Sequence, residues 1–183
     1  MFWVATGTAV VALAALGVVI ASSTAYVPYH LGQTANSVPA IHDITTDLAN
    51  PPVFVKAAAL RGKDDHPVAY DGAKVGELQK GAYPDLAPLV LAAPAPKAFE
   101  AATTTLTEMG LEIVDFDPAQ GRIEAVATSP LFGFKDDVVV RVVTAADGTR
   151  VDMRSKSRVG RNDFGINTKR IRTFTAKVRA KLG

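Results

Sequence analysis

The chain has 183 residues, an apolar content of 48%, a mean hydropathy of +0.16 and a formal charge of +2. That length holds one domain of ordinary size with a real core, and the apolar excess sits at the front. With no cysteine, disulfides and thiolate metal sites are excluded. The three histidines, His30, His42 and His66, are too scattered to suggest a zinc site.

From Phe2 to Ala21 no residue is charged. About 20 helical residues rise roughly 30 Å, the thickness of a bilayer core. Trp3 at one end and Tyr26 and Tyr29 at the other stand where aromatic belts form. A cleaved signal peptide, with Ser23 and Ala25 as a small-residue cleavage site, is the competing reading. The apolar run is too long for it, and no Lys or Arg precedes the run. The expectation is a retained transmembrane anchor over residues 1–22. No Lys or Arg occurs before Lys56, so the positive-inside rule has little to count. The uncharged stretch after the helix favours translocation of the C-terminal side. This gives a single-pass protein of a bacterial inner membrane with its soluble domain on the periplasmic side. Ala5, Ala9, Gly17 and Ala21 share a four-residue spacing that suits close packing of a partner helix, although an Ala-rich membrane helix accounts for them as well.

Residues 23–42 are rich in Ser, Thr, Pro, Asn and Ala, carry no Asp, Glu, Lys or Arg, and read as an extended linker. The domain is expected over residues 43–183. Its first part, 43–85, holds Asn50-Pro51-Pro52 and a polar region around Arg61–His66. It predicts mostly irregular structure with one short helix near Val75–Lys80. A strand is expected at Leu86–Leu91. Pro94 and Pro96 open a helix with Phe99, Ala102, Leu106 and Met109 on one face, stopped by Gly110. Strands come next at Leu111–Asp117 and Arg122–Ser129, then a hairpin pairs Asp136–Thr144 with Thr149–Arg158. A closing helix runs from about Asp163 to Leu182, with Ile171, Phe174, Val178 and Leu182 inward. The order is β-α-β-β-β-β-α, an α+β domain with two helices on one face of a curved five-stranded antiparallel sheet.

The second hairpin allows an internal check. If Thr144 opposes Thr149, Val140 faces Met153 and Val142 faces Val151 on one side of the sheet. On the other side Arg141 then faces Asp152, and Asp137 faces Lys156. One register satisfies an apolar face and two opposite-charge pairs, which are expected as structural ion pairs.

An ordered set of motifs now stands out. It comprises His42-Asp43-Ile44-Thr45-Thr46-Asp47 with Asn50-Pro51-Pro52, Tyr83-Pro84-Asp85, and Gly133-Phe134-Lys135-Asp136-Asp137. Last comes Arg154-Ser155-Lys156-Ser157-Arg158-Val159-Gly160-Arg161, running into Asp163, Gly165, Asn167 and Arg170. Over roughly residues 40–182 this set resembles the bacterial domain of unknown function 1499 family. The resemblance implies a membrane-tethered envelope protein with no established activity. Many relatives carry several membrane helices ahead of the domain, where this chain has one. The element order is also similar to the TATA-binding-protein-like topology, an analogy of fold that assigns no function.

Charge is uneven. From Lys135 to Gly183 there are 13 Lys/Arg against 5 Asp/Glu, a net of +8, while the remainder carries 7 against 13. A basic half facing a membrane attracts anionic headgroups, or it pairs with the chain's own acidic half. The sharpest candidate site is the loop from Ser155 to Asn167, where two glycines precede a helix N-terminus. Arg154, Ser155, Ser157, Arg158, Arg161, Asn167 and Arg170 would there hold a phosphate or carboxylate. The structural alternative has Asn162 or Asp163 capping the helix and the arginines tied to Asp136, Asp137 and Asp152.

Catalytic chemistry finds little support. Adjacent Asp136 and Asp137 point to opposite faces of a strand and cannot act as a pair. His42, Asp43 and Asp47 lack a further metal ligand at sensible spacing, so no metal or cofactor is expected. There is no nucleophile elbow and no phosphate loop. The basic region has little aromatic interleaving, which argues against nucleic acid. The sequence therefore reads as a membrane-anchored binding or scaffold module for an anionic lipid or small anion. The alternative is an accessory subunit with a membrane-protein partner.

Overall fold

The computed structural model describes residues 11–22, 24, 26, 38–146 and 148–183. The chain divides into two units, one ending at Val38 and one spanning Pro39–Gly183. In the first, residues 11–22 form helix α1 and are exposed throughout. The first ten residues of the expected anchor lie outside the described residues, as does the expected linker from residue 27 to residue 37. Among the described residues no helix is long and apolar enough to cross a membrane.

The second unit contains, in order, β1 (Asp43–Thr45), α2 (Lys56–Ala59), α3 (Ala73–Ala82), β2 (Leu89–Leu91) and α4 (Ala95–Glu108). β3 (Glu112–Asp117), β4 (Arg122–Thr128), β5 (Lys135–Ala145), β6 (Gly148–Ser157) and α5 (Ile166–Leu182) complete it. It already includes Ile41, which is buried, so the expected linker gives way to the domain before residue 42. The sheet is antiparallel in the order β1-β6-β5-β4-β3, with β2 also on β6. β1 and β2 share one edge of β6, β2 opposite residues 149–151 and β1 opposite residues 154–156.

Six strands replace the expected five because 43–85, mostly irregular as expected, also contributes the three-residue β1, together with the short α2. Asp43-Ile44-Thr45 is too short to display an alternating pattern, and the four residues of α2 too few to display a helical one. The short helix expected near Val75–Lys80 is α3. The strand expected from Leu86 begins only at Leu89, since Pro88 has no N–H to contribute to a ladder. The β5–β6 register is the expected one, with Thr144 opposite Thr149, Val140 opposite Met153 and Arg141 opposite Asp152.

Strand alternation gives the sheet two unlike faces. The first presents Ile44, Leu91, Ile123, Val138, Val140, Val151 and Met153 to α4 and α5, whose Ala98, Ala102, Leu106, Ile171, Phe174 and Val178 complete the main core. Pro94 stands at the N-cap of α4 and Pro96 in its first turn, where a missing N–H costs nothing. α5 begins at Ile166 rather than near Asp163, because Phe164 and Gly165 take left-handed backbone angles (φ 54° and 77°). Asp163 nevertheless closes the helix start, accepting the N–H groups of Gly165 (3.0 Å) and Asn167 (2.7 Å).

Gly110 and Gly121 are both left-handed (φ 77° and 61°) but differ in surroundings. A Cβ on Gly110 meets nothing within 4 Å, whereas one on Gly121 falls 2.0 Å from the Val142 carbonyl oxygen. Gly110→Ala should therefore cost about 1 kcal/mol, the left-handed penalty alone. Gly121→Ala should cost about 3 kcal/mol, since overpacking adds to that penalty. Urea denaturation of the two variants checks this, and equal losses would refute the backbone contact as the constraint.

Candidate functional site

The second face of the sheet carries charge. On β6 the alternate residues Arg150, Asp152, Arg154 and Lys156, and Arg158 just past its end, lie on this side. The register adds Asp43 from β1, Asp137 and Arg141 from β5, and Arg122 and Glu124 from β4. Residues from Asp47 to Asp71 cover it, and α3 follows at the β1 edge. Asp43, Glu124, Asp137, Asp152 and Lys156 are fully buried. An unpaired ion there would be prohibitively desolvated, and each one has partners.

Arg154 meets Asp43 through two parallel bonds, Nε to Oδ1 and Nη2 to Oδ2, both 2.8 Å. It also donates to the carbonyls of Pro52 (3.2 Å) and Val68 (3.0 Å). The rings of Phe54 and Tyr70 lie 4.8 and 5.4 Å from its guanidinium carbon. A planar, forked cation suits this slot and a lysine would not. Burial and then the Asp43 charge push the Tyr70 hydroxyl up to about 12. Lys156 spends its ammonium protons on Asp43 (3.2 Å), Asp71 (2.6 Å) and the Ala69 carbonyl (2.7 Å). Asp137 accepts from Arg61 Nε (2.7 Å) and Arg158 Nη2 (2.7 Å), and Arg158 also donates to the Leu60 carbonyl (2.9 Å).

The same chemistry holds the covering segment down. α2 has no cap of its own. Glu124, far away in sequence, accepts the N–H groups of Val55 (2.8 Å), Lys56 (3.2 Å) and Ala57 (2.8 Å). α3 supplies Gln79, whose amide closes the N–H (3.0 Å) and C=O (2.7 Å) of Thr45. Asp47 caps the turn before Pro51, accepting from Ala49 and Asn50, and meets Arg141 (2.9 Å).

The loop that the sequence singled out does not gather its side chains into one site. Residues 154 and 158 belong to the charged face and residues 155 and 157 to the helix face, so alternation separates them. Arg154 and Arg158 are 2% and 8% exposed and neutralised by Asp43 and Asp137. On the opposite face Ser155 donates to Asn167 (2.6 Å), Asn167 donates to Ser157 (3.0 Å), and Arg170 donates to Ser155 (2.8 Å) and Asp136 (2.7 Å). Arg161 stands exposed between the two groups. Of the two cross-strand charge pairs, Arg141 and Asp152 do bond, at 2.7 Å. Asp137 and Lys156 are register partners, yet each is engaged elsewhere. Sequence reasoning missed Asp43, Glu124, Arg61 and Asp71 as partners. A charged residue at every second position from 150 to 158 marked one face of the strand as charged, but not as covered.

At the margin of the layer His42 stacks on His66, ring centroids 4.1 Å apart, with His42 Nε2 3.3 Å from Asp71 and His66 Nε2 2.9 Å from the Gly160 carbonyl oxygen. Burial, and next the neighbouring His66, hold the His42 imidazole below its ordinary 6.5, against an upward pull from Asp71. Asp43 and Asp47, which neighbour His42 in sequence, both face arginines. Among the described residues no cluster of three metal-ligating side chains forms.

Two outcomes are expected from these pairings. Asp137→Ala leaves Arg61 and Arg158 without their carboxylate and should cost about 3–5 kcal/mol. Asp85→Ala, breaking the half-exposed pair with Arg172, should cost under about 1 kcal/mol. Denaturant titration of both variants measures the contrast, and similar losses would show the buried layer to be no stronger than a surface pair. For His42 the folded value is the lower one, so the unfolded chain takes up the proton first. Its contribution is complete above about pH 6.5 and declines as pH falls through that value toward the folded one. The drop in melting temperature from about pH 7 to pH 5 should therefore be smaller in His42→Asn than in the parent chain. An unchanged pH profile would exclude His42 as its source.

No curated protein matches the sequence. Among solved structures, TTHA0849 from Thermus thermophilus is similar over 52% of this chain and 96% of its own, at 15% identity and a TM-score of 0.30. Ara h 8.0201 is similar over 51% of this chain and 95% of its own, at 11% identity and a TM-score of 0.26. Likeness at that level carries no argument. Residues 43–178 match the family described as protein of unknown function, DUF1499. The match begins at Asp43 and so takes in both partners of the Asp43–Arg154 pair. The chain belongs to the DUF1499 family.

Proposed function

We propose that this chain is a non-enzymatic domain held at a bacterial inner membrane by its N-terminal apolar segment, with the domain on the periplasmic side. The observation that carries the reading is the apolar N-terminal segment. Phe2–Ala21 has no charged residue, and in its described part Val11, Leu13, Leu16, Val18, Val19 and Ile20 are all more than half exposed. Water is a poor solvent for such a surface and a bilayer a good one. A binding or scaffold role is supported by the employment of the buried ionisable groups. Acids and bases on the covered face are matched to one another, an arrangement that shapes a domain and leaves no group poised for proton transfer. The order β2-α4-β3-β4-β5-β6-α5 resembles the TATA-binding-protein-like topology, a resemblance that adds nothing to the functional reading.

An accessory subunit of a larger membrane complex is the second reading. It is favoured by Gly17 in α1, a small residue of the kind that lets a second membrane helix approach closely.

Membranes from cells producing the full chain should retain it after alkaline carbonate washing and release it only to detergent. Release by carbonate would sink the anchor. Native mass spectrometry of the detergent-solubilised protein separates the two readings. A co-purifying lipid on a single chain supports the binding module, and a stoichiometric foreign polypeptide supports the subunit.

A further inference from the structure

The β4–β5 connection, residues 129–134, turns three large apolar side chains outward. Leu131, Phe132 and Phe134 are 81%, 71% and 56% exposed. A single exposed leucine needs no explanation, but three at the tip of one short turn form a patch, and patches mark contact surfaces. The turn is built to hold them there. Ser129 N–H donates to the Phe134 carbonyl (2.8 Å), Gly133 N–H to the Ser129 carbonyl (3.0 Å) and Phe134 N–H to Ser129 Oγ (2.9 Å). Gly133 takes the left-handed angle (φ 66°) that the tight turn requires. The two phenylalanine rings lie 5.6 Å apart. Three backbone donors are thus closed inside the turn and Pro130 has none, so the apolar tip can leave water without stranding them.

The surroundings indicate what covers it. Arg158 N–H donates to the Lys135 carbonyl (3.0 Å), so the β6–α5 loop leaves the sheet at the same end as this turn. That loop and the first residue of α5 add Phe164 and Ile166, 42% and 52% exposed, with the exposed Arg161 in the loop, while exposed Lys135 stands at the base of the turn. A neighbouring turn brings Lys63 with Asp64 and Asp65, reached through the bond from His66 N–H to the Arg158 carbonyl (2.7 Å). The polypeptide also enters the unit here. Ser157 N–H donates to the His42 carbonyl (2.9 Å) and Asp163 N–H to that of Ile41 (3.4 Å). The end that carries the apolar tip is therefore the end at which the chain enters the domain. Apolar side chains at the tip with cations behind them match an anionic bilayer surface, with acyl chains below and phosphates above. Hot spots of protein interfaces are enriched in Trp, Tyr and Arg, and residues 129–134 contain none of these.

We propose that this end of the domain rests on the bilayer, with Leu131, Phe132 and Phe134 inserted at the headgroup–acyl boundary of anionic lipid and Lys135 and Arg161 at the phosphates. The proposal rests on the membrane-anchored reading above and adds which face of the domain the membrane covers. The sole tryptophan is Trp3, so two full-length proteins test both levels. The parent chain and a Trp3→Phe, Phe132→Trp chain are each reconstituted into phosphatidylethanolamine–phosphatidylglycerol vesicles containing lipid brominated on the upper acyl chain. Quenching of Trp3 reports the anchor. The introduced indole should show blue-shifted emission and quenching by bromolipid, and both should be lost when Leu131→Ser and Phe134→Ser are added. A red-shifted, unquenched indole beside a quenched Trp3 would overturn the proposal and leave the anchor standing. A blue-shifted but unquenched indole would overturn it in favour of protein contact. An unquenched Trp3 would remove the anchor and this proposal together.

Discussion

The covered face of the sheet depends on the matching of buried charge across β6. Arg150, Asp152, Arg154, Lys156 and Arg158 occupy one side of a central strand, a side that a folded domain either leaves open to water or compensates ion by ion. Taking such ions out of water costs several kcal/mol each after relaxation, so covering them requires partners of defined position. Asp43, Asp137, Asp71 and Asp47 supply those positions, from β1, from β5 and from the covering segment. Apolar packing on this side is slight by comparison, a small cluster of Phe54, Ala57 and Val139 with Val68 against it. Residues 46–82 are therefore held to the sheet mainly by directional bonds. Glu124 serving as the cap of α2 and Gln79 as the backbone partner of Thr45 are the clearest cases.

A layer assembled this way specifies geometry more than it adds net stability. Buried ion pairs return little over well-packed apolar groups of the same size, but a missing partner is severe. The short elements here, α2 of four residues in the segment and β1 of three just before it, have almost no helix or strand propensity to orient them. Directional charge contacts provide that orientation. They also account for the chain's asymmetric charge, since much of the basic excess after Lys135 is cancelled by acids that precede it in sequence.

Alternation along β6 explains why one dense polar motif serves two structural ends. Its even positions face the charged layer, while Ser155 and Ser157 face Asn167 and Arg170 at the start of α5. The motif therefore joins the covering segment on one side of the sheet to the last helix on the other. Among the described residues, outward apolar side chains remain at the periphery, the first helix and the turn between β4 and β5 among them.

The sequence by itself determined what depends on periodicity and local stereochemistry. The α4 and α5 faces, the turn residues, and the β5–β6 register through Val140–Met153 and Arg141–Asp152 were all legible, because a hairpin is local and its two faces constrain each other. Membership of the family was legible in the order of its motifs. Tertiary structure alone decided the partners of the buried ions. Asp43 lies 111 residues from Arg154, and Lys156 bonds across to Asp71 rather than to its register neighbour Asp137. No local rule distinguishes an arginine that binds a ligand from one that neutralises a distant aspartate. The difference lies in which side of the strand it occupies and what is folded over it, and both are properties of the assembled sheet.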